Sequence, residues 1–391
     1  MEIKLAKRME SFSSSIFSEL AQHKSKLLAE GKTIIDLSIG SPDLPPPDFV
    51  KETIHSLSMN NNQYGYSLAG TKEFHNAVGS YYKKNYQVDL NPETEVLQLM
   101  GSQDGLVHLP MVLANPGDII LVPDPGYTAY ATGIAMAGAT PYFMPLKKEN
   151  KFMPDFANIP EEIAHKATLM ILNFPGNPIP AMATKEMFQA AIHFAKTYNI
   201  IILHDFAYSE LYYSDDKPIS FLSLPGSKEV GIEMNSLSKS YNMAGCRIAY
   251  ATGNANIIAA LQQLKSNLDY GIFFPIQSAA TLALQQGSEF NERTRSIYKN
   301  RRDCLIAGLN EIGWNIEAPQ AGMFVWAELP KGWTSKHFAF ELMNRAGVAV
   351  TPGIAFGPSG EGYVRIALVQ NEETLQQAIH TISKSGMISS K

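Results

Sequence analysis

The chain has 391 residues, 45% of them hydrophobic, which is about two to three times a typical domain length and predicts two domains with a large buried core. Its 32 basic and 37 acidic side chains leave a formal charge of −5, which argues against a nucleic acid or an anionic membrane as the main partner. Cys246 and Cys304 cannot form a disulfide framework, so we expect a reducing, cytoplasmic compartment. No stretch is apolar for long enough to predict a signal peptide or a membrane span.

Apolar runs and helical segments alternate over most of the chain, up to about residue 285. The apolar runs are residues 98–100, 118–122, 168–172, 200–203 and 230–234. Residues 184–199 repeat apolar side chains at a spacing of three to four, which predicts an amphipathic helix. Strands that are apolar throughout are buried on both faces, so we predict an α/β domain with a mostly parallel sheet flanked by helices.

The last hundred or so residues have a different pattern. A charged helix is followed by an apolar strand at residues 322–326, a glycine-rich turn, another strand and a last helix. This order is typical of a smaller α+β domain. We therefore predict a large domain of residues 46–285 and a small domain formed by residues 1–45 together with 286–391.

Polar side chains stand where three of the apolar runs end. They are Asn173 and Asn177 after one run, Asp205 and Tyr208 after the next, and Ser236, Ser238 and Lys239 after a third. Ligands of open parallel sheets bind outside the carboxyl ends of the strands, and a lysine gathered there can act as a nucleophilic amine. Taken singly, Lys239 could be a solvated lysine and Asp205 a helix cap. Their occurrence at successive strand ends favours a binding pocket.

These segments resemble a known enzyme family. Residues 235–247, which contain Lys239, match its lysine motif, and residues 101–105, 122–127, 173–178, 204–208 and 356–365 match further motifs in the same order. The chain thus resembles the class I/II pyridoxal-phosphate-dependent aminotransferases of fold type I, most closely the bacterial subgroup that includes LL-diaminopimelate aminotransferases. The resemblance implies an aspartate aminotransferase-like fold and the ping-pong transfer of an amino group between an amino acid and a 2-oxo acid.

The resemblance assigns the chemistry of the pyridoxal 5'-phosphate ring to four residues. Lys239 matches the lysine that forms a Schiff base with the cofactor and moves the proton at the substrate Cα. Asp205 matches the carboxylate that pairs with the ring nitrogen, and a protonated ring is the better electron sink. Tyr208 and Asn177 match the donors to the ring oxygen.

The same resemblance indicates which residues bind the cofactor phosphate and which side chain stacks on the cofactor ring. Ser236, Ser238 and Arg247 supply two hydroxyls and a guanidinium to the phosphate. Ser102 and Gln103 begin a predicted helix, whose N-terminal N–H groups can bind the phosphate as well. Tyr127 matches the aromatic side chain that stacks on the cofactor ring.

Substrate and subunit contacts are implied in the same way. Arg365 matches the arginine that binds the substrate α-carboxylate, and Gly40 and Asn177 lie beside that carboxylate. Tyr64 or Tyr66 matches the tyrosine that reaches the phosphate of a partner subunit, which implies a homodimer with sites at the subunit interface. The spacing to the following glycine departs by one residue from the family pattern, so the sequence leaves both tyrosines open.

The kind of side chain that the substrate carries is predicted from the lack of positive charge in the segments expected to face it. Segments 11–17 and 267–273, expected to face it, contain no arginine or lysine. Gln103 stands where relatives that handle diaminopimelate commonly have a positive residue. Because an unpaired anion in a desolvated pocket is costly, we predict an amino donor with a neutral side chain, unless Lys265 or Arg8 supplies a cation. A carbon–sulfur β-lyase that uses the same cofactor remains the alternative, because both reactions begin with removal of the Cα proton.

Overall fold

The structure is a computed structural model that describes residues 1, 3–12 and 16–388. The strands are β1 (Ile35–Asp36), β2 (Val96–Leu99), β3 (Ile119–Asp124), β4 (Thr140–Pro145), β5 (Ala167–Asn173), β6 (Ile201–Asp205), β7 (Gly231–Ser236), β8 (Ala249–Gly253), β9 (Phe324–Glu328), β10 (Val348–Ala349), β11 (Thr351–Pro352) and β12 (Tyr363–Ala367).

The helices up to β8 are α1 (Ile16–Ala29), α2 (Asp48–Ser58), α3 (Lys72–Tyr86), α4 (Ser102–Leu113), α5 (Thr128–Ala137), α6 (Glu161–Ala164), α7 (Lys185–Tyr198), α8 (Ser227–Val230) and α9 (Leu237–Ser240). Those after β8 are α10 (Ala255–Lys265), α11 (Phe274–Gln286), α12 (Ser288–Glu311), α13 (Ser335–Ala346) and α14 (Glu372–Lys384). Within the described ranges, none of these helices combines the length and the hydropathy needed to cross a bilayer.

The central sheet has seven strands in the order β2-β8-β7-β6-β5-β3-β4. Strands β7, β6, β5, β3 and β4 pair in parallel, whereas β8 is antiparallel to both of its neighbours. Alternate residues of β5 enter different cores, with Leu169 and Ile171 on one face and Met170 and Leu172 on the other. The mostly parallel α/β sheet predicted from the apolar runs is thereby confirmed, because helices cover both of its faces.

The amphipathic segment between β5 and β6 folds as predicted. Helix α7 begins after Thr184, whose hydroxyl oxygen accepts a hydrogen bond from the Met187 N–H at 3.2 Å, and ends at Asn199 in a left-handed conformation. Its buried face includes Phe188 and Ala191, one turn apart. The cap and the apolar spacing together determine where this helix starts and which face it buries.

The C-terminal region forms a separate antiparallel sheet, β11-β12-β9, next to α13, against which α14 packs. The N-terminal segment joins it, since β1 pairs in parallel with β10 and Leu20 and Leu27 of α1 pack against Met343 and Ala349. These contacts support the division into residues 46–285 and residues 1–45 with 286–391, which remains a prediction.

Candidate active site

A cavity of about 280 Å³ lies at the carboxyl ends of β5, β6 and β7, where the two sheets meet. The predicted residues that line it are Gly40, Ser102, Tyr127, Asn177, Asp205, Tyr208, Lys239 and Arg365. Phe17, from the segment expected to face the substrate side chain, and Asn173, from a strand end predicted to contribute to the pocket, line it as well. The lining residues that sequence reasoning did not assign to the site are Ser38, Thr128, Ala207 and Phe356. Predicted residues from both ends of the chain therefore share one cleft.

Asp205 ends β6 at the bottom of the cleft and is almost completely buried. Its Oδ2 accepts a hydrogen bond from the Tyr130 hydroxyl at 2.8 Å, and its Oδ1 accepts one from the Ala207 N–H at 3.3 Å. Burial raises the pKa of Asp205, and these two hydrogen-bond donors act in the opposite direction. Among the described residues, no lysine or arginine pairs with this carboxylate, so it fits a protonated ring nitrogen as its counter-charge.

Lys239 lies in the single turn of α9, directly after β7. The Ser236 hydroxyl oxygen accepts a hydrogen bond from the Ser238 N–H at 3.1 Å and caps this turn. The Lys239 amine donates to the Gly40 carbonyl at 2.7 Å. Burial, reinforced by the charges of Arg365 and Arg247, lowers the pKa of Lys239 to about 8. A substantial neutral fraction near physiological pH makes this amine a nucleophile.

The residues predicted to bind the cofactor phosphate lie around the N-terminus of α4. A Cβ on Gly101, whose φ is +81°, would lie 2.2 Å from an Arg247 nitrogen, so only glycine allows this close approach. The guanidinium thus meets the first N–H groups of α4, a favourable place for an anion. Ser236 and Ser238 are buried in the adjoining turn. Gln103 is exposed, and none of Gln103, Ser236, Ser238 and Arg247 lines the cavity itself.

Arg365 is a buried guanidinium above the cleft. It donates to the Asn177 side-chain oxygen at 2.8 Å and to the Ser38 carbonyl at 2.7 Å, and it packs over the rings of Phe324 and Phe356. Burial lowers its pKa to about 10. In the described part of the chain its Nε has no hydrogen-bond partner and no carboxylate pairs with it. This group fits a substrate carboxylate.

Tyr130, which donates to Asp205, is a candidate site residue that sequence reasoning missed. It lies one helical turn beyond Tyr127, and the two rings pack edge to face at 5.8 Å. Because Tyr127 sits just before α5, a spacing of three residues places both rings on one side, and that spacing could have identified Tyr130. No such signal existed for Ser38, which reaches the cleft only through tertiary packing. Phe356 begins the matched segment 356–365, but sequence reasoning assigned no role to it.

Tyr64 and Tyr66 do not reach the cleft of their own chain. Both side chains are exposed, by 65% and 80%. The Tyr64 hydroxyl donates to the Ser58 carbonyl at 2.7 Å, and the Tyr66 ring packs against the Tyr270 ring at 5.0 Å.

Comparison with known proteins identifies the family. The family model for aminotransferase class I and II matches residues 32–382. The chain is 43% identical over 386 residues to an LL-diaminopimelate aminotransferase from Maridesulfovibrio salexigens, covering 98% of this chain and 99% of that protein. It also resembles the substrate-bound structure of BacF from Bacillus subtilis, with a TM-score of 0.94, 40% identity and 98% of each chain covered.

A more distant solved structure has the same fold. An aspartate aminotransferase double mutant from Thermus thermophilus aligns with a TM-score of 0.92 at 26% identity, over 98% of this chain and 100% of that one. Nothing in these comparisons favours the lyase alternative. The family uses pyridoxal 5'-phosphate, which the uncompensated Asp205 carboxylate and the Lys239 amine fit. The chain belongs to the class I and II aminotransferases and is a pyridoxal-phosphate-dependent enzyme that transfers an amino group between an amino acid and a 2-oxo acid.

Proposed function

We propose that this aminotransferase prefers an amino donor with a neutral side chain. The charge inventory of the cleft carries the proposal. Among the described residues, its charged lining residues are Asp205, Lys239 and Arg365. Since Lys239 is assigned to the cofactor and Arg365 to the α-carboxylate, no cation remains for a second substrate carboxylate.

Lys265, the nearest candidate for that cation, is already neutralised. Its amine donates to Asp104 at 2.8 Å and to Asp269 at 2.6 Å, and only 2% of the residue is exposed. Arg8 is exposed and does not line the cavity. Residues 13–15 of segment 11–17 lie outside the described residues, and none of residues 267–273 lines the cavity of this chain.

An aromatic wall supports the same preference. Phe17 and Phe356, both on the cavity, pack edge to face with ring centroids 5.5 Å apart, and Phe356 packs in turn against Trp326. Such a surface gains free energy when it buries an apolar side chain. The relative from Maridesulfovibrio salexigens is named for LL-diaminopimelate, which carries a second charged end, so that compound is the main competing donor.

In this proposal each residue of the cleft has a role toward the cofactor or the substrate. Pyridoxal 5'-phosphate supplies an electron sink when it is bound. Lys239 binds the cofactor and moves the proton at the substrate Cα, Asp205 holds the proton on the ring nitrogen, and Tyr208 and Asn177 donate to the ring oxygen. Arg365 orients the substrate through its α-carboxylate.

The test is kcat/KM for alanine, methionine, phenylalanine, aspartate and LL-diaminopimelate with one fixed 2-oxo acid. We expect the neutral donors to exceed both charged ones, because a wrong charge in a dry pocket is penalised more than a wrong shape. A preference for aspartate or LL-diaminopimelate contradicts the proposal and indicates a cation from a partner subunit.

We also propose that the enzyme is a cytoplasmic homodimer in which Tyr66 reaches the phosphate in the partner's site. The Tyr64 hydroxyl already donates to its own chain, whereas Tyr66 is the more exposed. Free thiols at Cys246 and Cys304 agree with a reducing compartment. Light scattering measures the dimer, and Tyr66→Phe should weaken cofactor binding while Tyr64→Phe does not. The reverse result assigns the role to Tyr64.

A further inference from the structure

The buried Arg301 guanidinium of α12 forms an ion pair with Asp43, which lies in the segment between β1 and α2. Its two terminal nitrogens, Nη1 and Nη2, each donate to one oxygen of the Asp43 carboxylate at 2.8 Å. Arg301 is 4% exposed, and the side chain of Asp43 is 31% exposed. A contact through two parallel hydrogen bonds fixes the relative orientation of its partners as well as their distance.

The same guanidinium also binds the strand that carries Arg365. Nη1 of Arg301 donates to the Leu368 carbonyl at 3.0 Å, directly after the end of β12 and three residues beyond Arg365. The guanidinium carbon lies 5.5 Å from the centroid of the Tyr298 ring, so a side chain of its own helix packs against it. Arg301 thus joins β12 to the segment between β1 and α2.

The segment that contains Asp43 presents two backbone carbonyls to the site. The Ser38 carbonyl accepts a hydrogen bond from Arg365 at 2.7 Å, and the Gly40 carbonyl accepts one from Lys239 at 2.7 Å. A Cβ on Gly40 would lie 3.6 Å from an Arg365 nitrogen, so this backbone is in van der Waals contact with the guanidinium. The position of Arg365 therefore depends on where this segment lies.

Few soft torsions separate the ion pair from these carbonyls. Asp43 follows Gly40 by three residues, and Pro42 between them has a fixed φ. Before Gly40, the Leu37 carbonyl accepts a hydrogen bond from the Ala367 N–H of β12 at 2.8 Å. The segment is thus held against β12 on both sides of Gly40, by a backbone hydrogen bond before it and by the ion pair after it.

We propose that Arg301 and Asp43 are positioning residues for the substrate α-carboxylate. Their ion pair holds the Ser38 carbonyl where it orients the Arg365 guanidinium, and neither residue of the pair lines the cavity itself. This role rests on the proposed assignment of Arg365 to that carboxylate. Because the α-carboxylate does not react, its binding contributes equally to the ground state and the transition state. The pair therefore acts on KM and not on kcat.

Steady-state kinetics of Arg301→Met tests this split, since the variant loses all three hydrogen bonds of the guanidinium. We expect KM for each accepted amino donor to rise roughly tenfold or more while kcat stays within about threefold of wild type. Asp43→Asn, a change of similar size at a partly exposed side chain, should also raise KM, and it gives the result if Arg301→Met does not fold. Arg301→Met/Asp43→Asn should have no larger effect than Arg301→Met alone, because the two residues act as a unit. The matched control is Lys299→Met, which removes an exposed ion pair with Asp303 on the same helix.

Direct binding distinguishes positioning from a general loss of structure. The probes are 3-phenylpropionate and succinate, which carry the carboxylate of phenylalanine and of aspartate without the amino group, and calorimetry measures their binding to the holoenzyme. For Arg301→Met we expect the dissociation constant of the carboxylate that wild type binds more tightly to rise roughly tenfold or more. The dissociation constant of pyridoxamine 5'-phosphate, measured on the apoenzyme, should change less than about threefold, because the residues assigned to the cofactor are retained.

Wild-type values of KM and of the carboxylate dissociation constant in Arg301→Met and Asp43→Asn overturn the proposal. An equal loss of carboxylate and cofactor binding overturns it as well, because the pair would then only stabilise the fold. Arg365→Met provides the separate check on the proposed function. If only Arg365→Met loses carboxylate binding, the positioning role is wrong and the assignment of Arg365 stands. If Arg365→Met binds the carboxylate as wild type does, that assignment is wrong.

Discussion

The Arg365 guanidinium donates a hydrogen bond to the Asn177 side-chain oxygen at 2.8 Å, across 188 residues of sequence. The side-chain oxygen of Asn177 thus binds the proposed substrate arginine, and within the described part of the chain its side-chain N–H groups have no partner, so they can donate to the proposed ring oxygen of the cofactor. In the proposed assignment, this one side-chain amide links recognition of the substrate carboxylate to the electronic state of the cofactor. A change at Arg365 is expected to affect the position of Asn177 as well.

Replacing Arg365 with lysine tests this link. Lysine keeps the charge but cannot bind Asn177, Ser38 and a carboxylate in one plane. We expect kcat/KM to fall by roughly 10- to 100-fold for every amino donor, because one lost charge-assisted hydrogen bond costs about 1.5–3 kcal/mol. Steady-state kinetics with two neutral donors measures it, with the exposed Arg345→Lys as the control. A fall in kcat/KM for only one of the two donors would indicate that Arg365 contacts the substrate side chain and not the α-carboxylate.

Lys239→Ala should abolish turnover while the cofactor still binds. The variant loses the amine that attacks the cofactor and the base at Cα together, but Asp205, Arg247 and the two serines are retained. Absorbance spectra and equilibrium dialysis with pyridoxal 5'-phosphate separate the two effects. Activity near the wild-type level would refute the assignment of Lys239.

The lowered pKa of Lys239 predicts how the apoenzyme takes up its cofactor. Below about pH 8 the amine is mostly protonated and cannot attack an aldehyde, whereas above that value it is mostly neutral. The rate of reconstitution should therefore rise with pH and level off just above about 8. Stopped-flow absorbance on mixing apoenzyme with pyridoxal 5'-phosphate gives the profile. A rate that keeps rising as for Nα-acetyl-lysine would show that the site does not perturb the amine.

Asp205→Asn should slow removal of the Cα proton far more than it weakens binding of the phosphate end. The neutral amide cannot hold the ring nitrogen protonated, so the cofactor is a poorer electron sink. Removal of the Cα proton is followed through the primary isotope effect with a Cα-deuterated donor. Binding of the phosphate end is followed through the inhibition constant of inorganic phosphate on the apoenzyme. Equal losses in both would mean that Asp205 has been assigned to the wrong part of the cofactor.

The apolar runs and the polar residues that end them are local features, and they were sufficient to predict the parallel sheet, the helix after Thr184, and the strand ends that carry Asn177, Asp205 and Lys239. Local sequence is informative there because a buried strand must be apolar and a ligand can bind only where the strand stops. The cofactor was implied by the resemblance of the motif around Lys239 to the lysine motif of the aminotransferase family.

Tertiary structure decided which long side chains remain available for a ligand. Sequence left Lys265 as a candidate cation, and only folding brings Asp104, 161 residues away, within 2.8 Å of it. Tyr130 reaches Asp205, and Arg365 reaches Asn177, across gaps of 75 and 188 residues. Whether a charged side chain is available to a ligand depends on the partners that packing places around it. The periodicity of the sequence does not predict contacts between residues so far apart along the chain.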